Sequence, residues 1–237
     1  MKFSIIIIAA VLVWTAYAFR SNQEIPPVII PTPISSPSPT QIPKSVINTV
    51  PFVAQAPFGD WNDLRQQEAC EEASALMAML WVRGDTTINT FAALDEILAD
   101  STYQEQVFGI YHDTSAKDTI ERIFHGYYQY QNVELKNDVL VGDIISELNA
   151  GHLVLAPTNG QALSNPYYTA PGPERHMIVI HGYDIDSNEF VTNDPGTRFG
   201  HNYRYDADLF WRAIRDYPTG YNLPITGSEK NVIVVKK

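Results

Sequence analysis

Cys70 is the only cysteine of the chain and stands at the head of an apolar, helix-spaced run, in QQEACEEASALMAML, residues 66–80. A thiol at a helix N-terminus lies among free backbone N–H groups and at the positive end of the helix dipole, and both favour the thiolate. Glu68, Glu71 and Glu72 place negative charge nearby and oppose it, so a nucleophilic Cys70 requires a cationic partner. A small buried core residue is the competing reading of the same thiol.

The cation is available in PERHMIVIHGYD, where His176 opens a strand after a Gly/Pro-rich loop. Alternation puts His176, Ile178 and Ile180 on one face and Met177, Val179 and His181 on the other. His181 is therefore read as a core or edge histidine. A turn around Asp186-Ser187-Asn188 and the run FVTNDPG suggest a hairpin that sets Thr197 opposite His176 and brings Asp194 near it diagonally. A carboxylate there could accept the imidazole Nδ1 proton and orient the ring. Attack on a carbonyl also needs oxyanion donors: the Cys70 N–H and a side-chain amide, for which Gln55 in VPFVAQAP and the pair Gln66-Gln67 are the upstream candidates.

The remaining histidines, 112, 125, 152 and 201, lack carboxylates at metal-ligand spacing, so neither a metal nor another cofactor is expected. One cysteine excludes an intramolecular disulfide and a multi-thiolate zinc site. A net charge of -11 argues against nucleic acid or an anionic membrane as the main partner.

The elements that must carry these residues fall into two halves. Helices are expected over Gln67–Val82, Thr90–Asp100, Ser115–Gly126 (opened by a Ser-x-x-Asp box) and Asp143–Ala150. After Gly151 the runs LVLAP, MIVIHGYD, NEFVTND and NVIVV read as strands, with one more helix near Ala207–Arg215. Helices first and strands later, joined by hairpin-like turns, predict an α+β domain with a mostly antiparallel sheet.

Ahead of this domain, MKFSIIIIAAVLVWTAYAFR has a Lys2 flank, an apolar run and the small-x-small triplet Ala16-Tyr17-Ala18. Residues 1–20 therefore read as a signal peptide or an N-terminal membrane anchor. Residues 21–47 follow as a proline-rich linker, extended because proline withholds backbone donors. The domain is expected over 48–237. An extracellular or cell-surface location follows, with the membrane met only through the N-terminal segment.

Taken in order, VPFVAQ, a cysteine opening a helix that ends ALMAML, NAGHLVLAPTNG, RHMIVIHGYD and VTNDPG resemble the C39-like cysteine peptidases, relatives of the bacteriocin-leader peptidases within the papain-like fold. The resemblance spans about Val50 to Asn202. It implies Cys70 as nucleophile, His176 as base and later acid, Asp194 as orienting acid and Gln55 as oxyanion amide. In the transporter-linked branch the glutamine stands six positions before the cysteine, where this chain has Leu64, so Gln66 is the alternative. Glycine usually follows the cysteine there, and here Glu71 does. The implied activity is a cysteine peptidase or amide hydrolase working through an acyl-enzyme on a peptide or cell-wall peptide. An inactive binding module on the same scaffold, with aromatics such as Trp61 and those of NPYY holding a ligand, and an acyltransferase on the same triad are the competing readings.

Overall fold

The computed structural model describes residues 45–237. The expected signal or anchor segment, and the linker up to residue 44, lie outside the described residues. Two residues of the expected linker, Val46–Ile47, form strand β1 and pair with Tyr183 and Gly182, so the folded unit takes them in. Among the described residues, no helix is long and apolar enough to cross a membrane.

The expected helix over 67–82 is divided. Asp63 caps a short helix α1 (Leu64–Gln67), the helix ends at Glu68, and α2 (Cys70–Arg83) starts afresh with Cys70 as its first residue. Ala69, at the N-cap of α2, has no side-chain acceptor to offer the first-turn N–H groups. Every residue of α2 from Cys70 to Trp81 is buried, which explains why its apolar residues run around the helix instead of along one stripe.

α3 (Thr90–Phe108) runs eight residues past its expected end. Its inner face continues from Ala93 and Ile97 into Asp100, Ser101 and Gln104, so helical spacing persists while hydrophobicity does not. α4 (Ala116–Asp118), opened by Ser115 accepting from the Asp118 N–H as expected, runs into a π-helical stretch, Thr119–Tyr127. α5 (Val141–Asn149), α6 (Gly160–Leu163) and α7 (Ala207–Ala213) complete the helices.

The sheet contains β2 (Val133–Lys136), β3 (Leu153–Thr158), β4 (His176–Asp184), β5 (Glu189–Asn193), β6 (Tyr203–Asp206) and β7 (Val232–Val235). Their spatial order is β2-β7-β3-β4-β5-β6, with β1 also on β4, and every pairing is antiparallel. One face packs against α2, α3 and the π-helical stretch through Met177, Val179, Leu155 and Ile233. The other packs against α5 and α7 through Ile178, Ile180, Val154 and Val234. A sheet covered on both faces needs strands apolar at every position, as LVLA and MIVI are.

The hairpin of β4 and β5 controls the site. Near its turn Tyr183 pairs with Phe190 and Gly182 with Val191, but beyond an irregularity Ile180 pairs with Thr192 and Val179 with Asn193. His181 is the extra residue of this bulge. The register slips by one, so at the strand mouth His176 meets Gly196 instead of the expected Thr197. A Cβ built on Gly196 would lie 2.8 Å from His176 Cε1.

Candidate active site

The bulge and the packing of α2 on β4 together bring the chemistry to one place. Ser74 Oγ donates to the Met177 carbonyl at 3.1 Å, clamping the first turns of α2 to the beginning of β4. Gln55 joins from the other side, its N–H donating to the Pro195 carbonyl at 3.0 Å. Gln55, Cys70 and His176 thus line one cleft of about 1130 Å³. Gln66, the alternative amide, is buried and does not line it.

His176 Nε2 lies 2.7 Å from Asp194 Oδ1, with both residues buried. The expectation that Asp194 would take the Nδ1 proton is corrected: the carboxylate holds Nε2. A carboxylate can only accept, so Nε2 carries the hydrogen and Nδ1 is left as the acceptor of the neutral ring. Asp194 is itself held by four further donors. Gly196 N–H reaches Oδ1 at 3.0 Å, while Tyr168 OH at 2.5 Å, Tyr205 OH at 2.7 Å and Asn165 Nδ2 at 3.2 Å reach Oδ2. Burial alone would push this carboxyl up, but His176 and the two tyrosine hydroxyls together hold it below the usual range. Tyr168 also packs edge-on to the imidazole, with ring centroids 5.5 Å apart.

Cys70 is held differently. Burial pushes its thiol well up, the charge of Glu71 and a hydrogen bond to it push the same way, and the backbone N–H of Met177 works against them. Sγ donates to Glu71 Oε2 at 3.0 Å. Glu71 Oε1 accepts from Tyr217 OH at 2.7 Å and from the Thr114 N–H at 3.2 Å. Burial, reinforced by nearby Asp113, raises Glu71 to about 7.

The three acids around Cys70 therefore have separate fates. Glu71 and Glu72 point into the interior, where they are 2% and 1% exposed, and Glu72 takes a hydrogen bond from Gln104 Nε2 at 2.7 Å. Glu68 alone lines the cleft, where burial and Asp113 raise it to about 7 against the opposing charge of Arg175.

Gln55 carries its amide toward its own chain: Nε2 donates to the carbonyls of Gln67 at 2.7 Å and Gln66 at 3.1 Å. Donation to a substrate oxygen would require one of these bonds to open. His181 lies outside the cleft, its Nδ1 2.8 Å from the Asn48 carbonyl, and burial lowers it to about 4. Among the described residues, no group of three His, Cys, Asp or Glu could hold a metal ion.

Asn165, Tyr168, Tyr205 and Tyr217 were not legible as site residues. They come from the loop after α6, from β6 and from the segment after α7, and nothing in their spacing links them to His176 or Cys70. In NPYY, which the competing binding-module reading gave a ligand-holding part, the second tyrosine holds Asp194 and both tyrosines line the cleft, with Tyr167 exposed.

The model of the Peptidase_C39 like family matches residues 47–219. No curated protein matches the chain. Among solved structures, a Bacillus anthracis protein assigned as a C39-like peptidase is similar at 18% identity and a TM-score of 0.45, over 82% of this chain and 98% of that one.

Proposed function

Because the chain belongs to the C39-like peptidase family, we propose that it is an exported or surface-tethered cysteine peptidase or amide hydrolase acting through a Cys70–His176–Asp194 triad. The fold is α+β and papain-like. The observation that carries the reading is the His176–Asp194 pair, 2.7 Å apart and buried, with His176 on the wall of the cleft that also holds Cys70.

In this reading the thiol proton passes to His176 Nδ1, and Asp194 stabilises the resulting imidazolium through Nε2. The thiolate attacks the amide carbonyl. The Cys70 N–H and the Gln55 amide receive the oxyanion, the latter after one of its backbone bonds opens. Imidazolium protonates the leaving amine, and water activated by the neutral ring releases the acyl group. The substrate is a peptide or a cell-wall peptide, reached from an extracellular domain behind a proline-rich linker that begins at residue 21 and ends before β1.

The test is the rate of Cys70 alkylation by iodoacetamide at about pH 6, where an ordinary thiol near ~8.5 is almost unreactive. Rapid alkylation, lost in His176→Ala, is the expected result. Alkylation that rises only near pH ~8.5 in both proteins would remove the catalytic reading. It would favour the second one, a binding module with an idle cysteine, which draws on the Cys70–Glu71 hydrogen bond.

A further inference from the structure

The Cys70–Glu71 contact belongs to no step above, yet it touches the reacting atom. Glu71 Oε2 is 3.0 Å from Sγ, and Oε1 is fixed by Tyr217 OH and the Thr114 N–H. Among the described residues no lysine or arginine pairs with Glu71, and Arg175 faces Asp113 at 3.5 Å. The other ionisable groups facing it are Glu72 on α2, Asp113 in the loop after α3 and Tyr217 after α7. A thiolate and a carboxylate at this separation, both out of water, repel each other strongly, so the two groups cannot both be ionised. They titrate as one unit.

We propose that Glu71 is a proton-operated gate on the Cys70 nucleophile: as a neutral acid it donates its O–H to the thiolate, and as a carboxylate it takes the S–H hydrogen bond and holds the sulfur as a thiol. The inference rests on the nucleophile assignment made for Cys70. In the reactive form Sγ is anionic, Glu71 is protonated on Oε2 and His176 is protonated on Nδ1. When Glu71 releases its proton to solvent, the Nδ1 proton returns to sulfur. The N–H bond breaks, an S–H bond forms, and the sulfur electron pair is no longer available for attack. The gate therefore opens on the acid side. Glu71, raised to about 7 by burial and by Asp113, is neutral below that pH and ionised above it.

The experiment compares, within each protein, the alkylation rate at about pH 8 with that at about pH 6. In the wild type the rate at pH 8 should be about a tenth of that at pH 6, following the neutral fraction of an acid that titrates near 7. Glu71→Gln presents an N–H to sulfur at every pH and should show no such fall. Tyr217→Phe removes the hydroxyl that favours the carboxylate, so its fall should begin at higher pH, and it decides the matter if Glu71→Gln does not fold. Coincident ratios in the wild type and either variant, with His176→Ala still unreactive, would overturn the gate and leave the triad standing. A His176→Ala protein that alkylates like the wild type would overturn the nucleophile assignment itself.

Discussion

Gly196→Ala tests whether the seat of the imidazole sets the reactivity of Cys70. The new Cβ would lie 2.8 Å from His176 Cε1, 3.0 Å from Nε2 and 3.3 Å from Tyr168 Cε1. Ordinary carbon contacts are about 3.5–4.0 Å, so the ring must retreat by roughly 0.7–1.2 Å. The 2.7 Å bond from Nε2 to Asp194 is the first to lengthen. The backbone at Gly196 is not left-handed, so alanine brings no φ strain and the effect is a matter of contact alone. Overpacking of this kind costs about 1–3 kcal/mol of stability. A misplacement of that size in a catalytic constellation can cost on the order of 10²-fold in rate. The assay is iodoacetamide alkylation at about pH 6 beside urea unfolding, with Gly142→Ala, whose Cβ meets nothing within 4 Å, as control. A folded Gly196→Ala protein that reacts as fast as the control would refute the claim that this seat governs the thiol.

Two further outcomes follow from the buried acids. Asp194→Asn places an N–H₂ among donors that now meet a carboxylate, and should cost about 1–3 kcal/mol in urea unfolding at neutral pH. Asp194 lies below its ordinary value, so its contribution is present above about pH 4 and is lost as pH falls through the folded value; the deficit should shrink in acid. Glu72 has the opposite sign. Burial, then Asp100 and Glu71, raise it well above the ordinary range, so its contribution is full below about pH 4.3 and is lost as pH rises through the folded value. Glu72→Gln should unfold at higher urea than the wild type at about pH 8, with the gain vanishing near pH 4; equal midpoints at pH 8 would contradict this reading.

The strands of the second half were legible because a sheet covered on both faces writes itself as unbroken apolar runs. α3 was legible only as far as its buried face stayed apolar, since Asp100, Ser101 and Gln104 keep the helical spacing without the hydrophobicity that marks it. Cys70, His176 and Gln55 were readable as the walls of one site from residue type and order. Asp194 was readable beside them, but the ring nitrogen it holds was not, and neither were Tyr205 and Tyr217, which come from separate elements; the one-residue bulge at His181 also moves the register. The acids beside Cys70 read only as negative charge opposing the thiolate, whereas a helix buried on every side takes Glu71 and Glu72 inside.

The order of strands has a consequence for how the molecule is made. β7 lies between β2 and β3, so partners more than seventy residues apart must meet before the sheet is continuous. Pairing at such separation is slow, because loop closure comes before the contacts that reward it. Until residues 232–235 arrive, the edges of β2 and β3 stay open, and with them the floor on which α2 rests. A nascent chain would therefore hold its thiol in an unassembled setting, and the chemistry would appear only with the closing strand.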